Sequence, residues 1–146
     1  MLIHSLVDAK GMPLAVRVTS AKASEREQVL PMLDSLKIRT GKPGRPKSRP
    51  KQLAADKGYD SRALRQDLRR RHIRPELPKR VWKGRRQPPG PKLEKRIERY
   101  VVERCFSWYQ RKFRRLAVRW ERKPELFEAF VRLGFAWIWL TKLLVG

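Results

Sequence analysis

Self-repulsion is the first constraint on what this chain can fold into. Its 146 residues carry 37 Lys+Arg against 14 Asp+Glu, a formal charge of +23 at pH 7. A compact domain with that charge repels itself unless a polyanion neutralises it. DNA or RNA is the default polyanion, and counterion release then makes binding steeply salt-dependent. A ribosomal-type protein, or a merely solubilised basic one, is the alternative that charge alone leaves open. Hydrophobic residues at 40% still permit a packed core. The length suits one domain over residues 1–146.

Several classes drop out. A single cysteine, Cys105, excludes an internal disulfide and any multi-cysteine metal site. It sits in an apolar helical stripe and reads as a buried structural thiol. Residues 1–9 lack the basic start and cleavage site of a signal peptide. The most apolar run, Leu133 to Thr141, is bounded by Arg132 and Lys142 and falls short of the ~20 residues a bilayer needs. The expectation is a cytoplasmic protein with no membrane partner.

Along the chain, residues 2–8 and 14–20 are two short β-rich runs, and the turn Asp8-Ala-Lys-Gly11 between them makes a hairpin. A helix is expected over 24–36, where Ser24 and Glu27 form a capping-box pattern and Val29, Leu30, Leu33 and Leu36 a stripe. Residues 37–51 are a Pro/Gly-broken basic loop that cannot bury a core. Residues 52–56 read as a short buried strand, followed by a turn, a helix from Ser61 to about Arg71 and a strand near Ile73–Leu77. A second basic loop, 78–92, precedes a long helix near 93–122, and Pro124 opens a final apolar helix to about Leu144. Strands alternating with helices in the second half imply parallel pairing and an α/β layer.

Two carboxylates stand where chemistry is plausible. Asp56 closes a buried strand, and the C-terminal ends of strands are where open α/β sheets bind ligands and metals. Its alternative is a turn or helix-cap aspartate, common before glycine. Glu103 lies in the long helix, at the border of an apolar face made by Val102, Phe106, Tyr109, Phe113, Leu116 and Trp120. Its alternative is a surface glutamate paired with a nearby arginine. Asp8 suits the hairpin turn, and His4 and His72 have no metal-ligand spacing.

The stretch Ala54-Ala55-Asp56-Lys57-Gly58-Tyr59-Asp60 resembles the second-aspartate motif of DDE transposases of the insertion-sequence-five family. Arg99-Tyr-Val-Val-Glu103-Arg104-Cys-Phe-Ser-Trp108, followed by Arg114-Arg115-Leu116, is similar to the same family's glutamate motif. The opening hairpin and the closing helix also resemble that family, so the likeness covers essentially the whole chain. Two positions depart from the pattern: Arg96 stands where a tyrosine is expected, and Gln110, beside Arg111, where a basic residue is common. The resemblance implies an RNase H-like fold, incomplete here because the family's first aspartate lies on a strand upstream of the hairpin. It implies Asp56 and Glu103 as two of three ligands for Mg2+ (or Mn2+), close enough to share a metal. The implied reaction is cleavage at transposon ends and strand transfer, with two ions about 3.5–4 Å apart. An N-terminal transposase polypeptide would then supply the missing strand, and the chain alone would be inactive.

The same likeness and the charge pattern assign contacts with double-stranded DNA to Arg45, Lys47, Arg49, Lys57, Arg99, Arg104, Arg111, Lys112, Arg114, Arg115 and Arg119. The first three belong to an extended arm that can track phosphates, or that is simply a solvated loop. Arg111, Lys112, Arg114, Arg115 and Arg119 crowd one helix, where like charges are unfavourable without a phosphate partner. Trp137 and Trp139 read as core or as the surface of a homodimer. A non-catalytic DNA-binding remnant and an unrelated basic RNA-binding protein are the competing functional readings.

Overall fold

A computed structural model gives the architecture and describes residues 1–39, 41–79, 99–118 and 121–145. Contacts divide the chain into two compact units: Met1–Ser24 with Arg99–Gly146, and Glu25–Glu98. Small sheets and several helices make it a mixed α/β chain.

In the first unit, β1 (Leu2–Val7) and β2 (Pro13–Thr19) pair antiparallel. The expected turn closes them. Gly11 adopts φ +81°, and the Asp8 carboxylate accepts from the backbone N–H of Lys10 and of Met12, both at 2.8 Å. Asp8 is thus turn chemistry, as its spacing implied. α3 (Arg99–Lys112) and α5 (Pro124–Val145) pack on the hairpin, and α4 (Arg114–Ala117) packs against both helices. Met12, Val16, Cys105, Leu116, Phe127 and Val131 form the core, and Cys105 is the buried thiol anticipated. α5 is also tied by polar bonds, since Trp139 Nε1 donates to the Pro13 carbonyl at 2.7 Å and Glu128 accepts from Val18 N–H at 3.1 Å.

The helix expected over 93–122 is two helices in its described part, because Phe113 leaves the helical region (φ −125°, ψ 98°). Arg111, Lys112, Arg114 and Arg115 repel one another at helical spacing. Breaking at Phe113 also lets Phe113 and Leu116 close on Gly134 of α5, where an added Cβ would sit 3.2 Å from Leu116 and 3.4 Å from the Phe113 ring. The buried stripe of α3 is also rotated from its expected place. Val101 and Cys105 are buried while Val102 is exposed.

The second unit contains the helical segment read as 24–36, which is shorter than expected. It starts as a 3-10 turn at Arg26–Gln28 and becomes α1 only at Val29–Asp34, and neither cap residue, Glu25 nor Gln28, makes a side-chain capping hydrogen bond. Pro31 is the reason. In an α-helix from residue 24 its ring would clash with the Glu27 carbonyl, whereas the first turn tolerates it. Residues 38–47 are not structureless, because Ile38 and Lys47 exchange backbone hydrogen bonds at 2.8 and 2.9 Å. The loop's described residues nevertheless stay exposed and bury no core. β3 (Gln52–Ala54) pairs in parallel with β4 (Arg74–Glu76) through the crossover helix α2 (Arg62–Arg70), the parallel pairing implied by the strand–helix alternation. Ser61 caps α2 by accepting from Leu64 N–H at 3.1 Å. Leu68, Leu77 and Leu64 fill this unit's core. Among the described residues β1 pairs only with β2 and β3 only with β4.

Candidate functional site

Asp56 follows β3 by two residues, at the C-terminal edge of the parallel pair. Its backbone is extended, and one carboxylate oxygen accepts from Lys57 N–H at 2.7 Å, capping the 3-10 turn Lys57–Tyr59. Asp56 is thus the cap that one sequence reading expected, and it also stands at the strand end. The side chain is exposed, and no hydrogen bond to its other oxygen is seen among the described residues.

The loop after Asp56 is held from three sides. Arg26 Nε donates to the Gly58 carbonyl at 2.8 Å. Arg65 reaches back from α2, pairing with Asp60 at 2.7 Å and donating to the Leu77 carbonyl at 2.7 Å. Tyr59 is half-buried, and burial pushes its phenol above the ordinary range, helped by the negative charges of Glu25 and Asp56. Sequence reasoning missed Arg26, Arg65 and Tyr59 because their roles depend on neighbours distant in the chain.

Elsewhere in this unit Arg45 and Arg49 line an open cleft with Lys37 and Arg71, over a floor of Leu33, Leu36 and Ile73. Arg71 is paired with Asp34, and Arg49 donates to the Arg71 carbonyl at 3.3 Å. Lys37 and Arg71 were absent from the expected DNA-contacting set; only the fold brings them beside the arm. Lys47 and Lys57 are exposed.

In the first unit, Glu103 is exposed on α3. Its neighbour Arg104 behaves differently from the expectation of a DNA contact. It is half-buried, donates to the Lys10 carbonyl at 2.5 Å and lies over the Trp108 ring at 5.3 Å. A cation so engaged fixes the hairpin turn to α3. Arg111, Lys112, Arg114 and Arg115 are exposed as expected, with Arg115 stacked over Phe130 at 5.0 Å. The Arg99 side chain and Arg119 lie outside the described residues, as does most of the 78–92 loop. Among the described residues no group of three or more Asp, Glu, His or Cys side chains is placed to hold a metal ion. No described helix is long and apolar enough to cross a membrane.

Comparison with known proteins decides the family. Residues 1–139 match the transposase DDE domain. The chain belongs to that family. It is 40% identical over 131 residues to a putative transposase for insertion sequence element IS402 of Burkholderia cepacia, a match covering 90% of this chain and 58% of that protein. A transposase for IS1106 of Neisseria meningitidis serogroup B is 31% identical over 114 residues, covering 76% of this chain and 36% of the relative. A putative transposase for IS6501 of Brucella ovis is 29% identical over 138 residues, covering 94% and 96% respectively. The DDE-domain chain thus spans just over half of the first relative, about a third of the second and nearly all of the third. No solved structure matches it. Both stretches that resemble the transposase motifs, around Asp56 and around Glu103, fall inside the matched residues.

Proposed function

We propose that this chain acts in DNA transposition, binding double-stranded transposon-end DNA and contributing Asp56 and Glu103 to metal-dependent phosphodiester cleavage and strand transfer. The match of residues 1–139 to the transposase DDE domain carries the reading. What Asp56 offers supports it: a carboxylate at the edge of a parallel strand pair, with one oxygen anchored by Lys57 N–H and the other open. Carboxylate oxygens suit a hard divalent cation such as Mg2+ or Mn2+. When bound, such ions activate the attacking oxygen and stabilise the leaving one. The chain's own residues do the rest. Lys57 and the Asp60–Arg65 pair set the loop that presents Asp56, and the exposed cations of the 38–49 loop and of α3–α4 neutralise phosphates. Within this reading the fold is an RNase H-like sheet of the insertion-sequence-five type, the third carboxylate comes from an N-terminal transposase polypeptide, and the protein works in the cytoplasm.

A second reading is a DNA-binding chain without catalysis, resting on the exposed cations alone. The two separate on a Mg2+-dependent cleavage assay with transposon-end DNA, run with and without the upstream polypeptide, beside Mn2+ binding followed by paramagnetic resonance. Cleavage only with the polypeptide, lost with Mn2+ binding in Asp56→Ala, is the expected result. Cleavage that survives Asp56→Ala removes the assignment. DNA binding with neither cleavage nor metal uptake leaves the non-catalytic reading.

A further inference from the structure

α5 has two apolar faces, and the fold buries mainly one of them. Phe127, Val131, Phe135 and Ile138 point into the core of the first unit. Beside them runs a second row: Leu126, Phe130, Leu133, Trp137, Leu140 and Leu144. Its spacing is four, three, four, three, four, the a/d repeat of a helix–helix seam, with leucine at every d position. Five of the six, all but the half-buried Phe130, are between 48% and 76% exposed.

The residues flanking this row agree. One side carries Ala129, Ala136 and Leu143, all exposed and uncharged. All four charged residues of α5 (Glu125, Glu128, Arg132 and Lys142) fall at the heptad's c and f positions, away from the seam. In a chain that is 35% charged, a charge-free face 19 residues long requires a reason. At 1.5 Å per residue it runs about 27 Å. Those exposures leave roughly 600 Å2 of apolar surface on the five side chains, at the top of what a monomer's largest patch shows. Two such faces together bury roughly 1,200 Å2, the lower bound of a stable protein interface.

We propose that this face is the contact between two copies of the chain, paired α5 to α5 in antiparallel sense. The row is its own complement about residue 135: reversed, Leu126 meets Leu144, Phe130 meets Leu140 and Leu133 meets Trp137. Every aromatic then faces a leucine. A parallel pair would instead stack Trp137 on Trp137 and Phe130 on Phe130 at a positions. A hollow lined by Leu116, Phe130, Leu133 and Gly134 opens beside the seam and gives the indole of the second copy room. The exposed cations Lys112 and Arg114 at its rim repel their counterparts, so salt strengthens this association by screening while it weakens DNA binding. The pairing does not depend on the cleavage reading, and failure of either leaves the other standing.

The test uses sedimentation of the full chain at low and high salt, for the native sequence and for Leu133→Glu/Leu140→Glu, with circular dichroism confirming that the variant keeps its helices. Both leucines are substantially exposed, so the fold does not rely on them. A dimer that tightens with salt, and that weakens by at least about tenfold in the variant, is expected. Mixing Leu133→Cys chains with Trp137→Cys chains should give a crosslink under oxidation that neither forms alone. Crosslinking of each variant with itself overturns the antiparallel register. A native chain that stays monomeric at every salt concentration overturns the proposal, as does one whose seam residues are needed instead for binding anionic vesicles.

Discussion

Replacing Gly11 by alanine tests whether the hairpin turn positions the helix that carries Glu103. Gly11 sits at φ +81°, where an L side chain is strained, and an added Cβ would lie 3.1 Å from Arg104 Nη2 and 3.2 Å from both the Val101 carbonyl oxygen and its Cγ1. The left-handed backbone costs about 1–2 kcal/mol for a residue with a Cβ. Crowding against the Val101 backbone adds about 1–3 kcal/mol, since that oxygen belongs to a helix and cannot swing aside. The sum is about 3 kcal/mol, a loss of roughly 6–12 °C in melting temperature for a chain of this size. Gly41 supplies the control: it has φ +72° but nothing within 4 Å of an added Cβ. Gly41→Ala should therefore show the backbone cost alone, about 1–2 kcal/mol. Paired thermal melts by circular dichroism read the difference. If the two substitutions destabilise equally, the turn does not pack against α3 and the anchoring of Glu103's helix by the hairpin is wrong.

The raised phenol of Tyr59 gives a pH dependence of definite sign. The folded chain holds that proton more tightly than the unfolded chain, whose value is 10.0, so stability is undiminished below pH 10 and falls as pH climbs through the raised value. Tyr59→Phe should flatten this decline in alkaline melts, and an unchanged slope would rule the cause out. Ser61→Ala removes the cap of α2 and should lower stability by about 1 kcal/mol in urea titration, whereas Ser61→Asp should largely preserve it. Arg114→Ala should reduce the slope of log K against log salt for DNA binding by roughly one. Arg104→Ala should leave that slope unchanged and lower the melting temperature instead; a drop in slope like that of Arg114 would show Arg104 facing phosphate.

The parts of the fold legible in the sequence are those whose signals are local. Alternation and the Asp8–Gly11 turn gave the hairpin, and Ser61 before a helical run between two short strands gave the parallel pair β3–β4. Where two local signals conflicted, the steric one won: Ser24 and Glu27 promised an early helix start, but Pro31 delayed it to Val29. The break at Phe113 has no proline or glycine to announce it. It follows from the contact of Phe113 and Leu116 with Gly134, a partner about twenty residues further along. The second face of α5 was hidden for another reason. In a helix apolar on two sides, composition cannot say which row the core takes, and only the packing of Phe127 and Val131 shows that the Leu126–Leu144 row is left over.

The same limit governs the candidate site, and arginine shows it most clearly. Charge counting treats every guanidinium as a phosphate ligand, yet this fold spends several on itself: Arg65 on Asp60 and Leu77, Arg71 on Asp34, Arg104 on Lys10 and Trp108. Each ties one element to another through a planar group that can donate in several directions at once, which lysine cannot do. The tie at Arg65 holds the loop that begins with Asp56, and the tie at Arg104 holds the turn against the helix of Glu103. Salt dependence counts phosphates neutralised rather than cations present. The DNA footprint should therefore be smaller than +23 suggests, concentrated on side chains such as Lys47, Lys57, Arg111, Lys112 and Arg114 that the fold leaves exposed. Part of the basic composition is internal scaffolding.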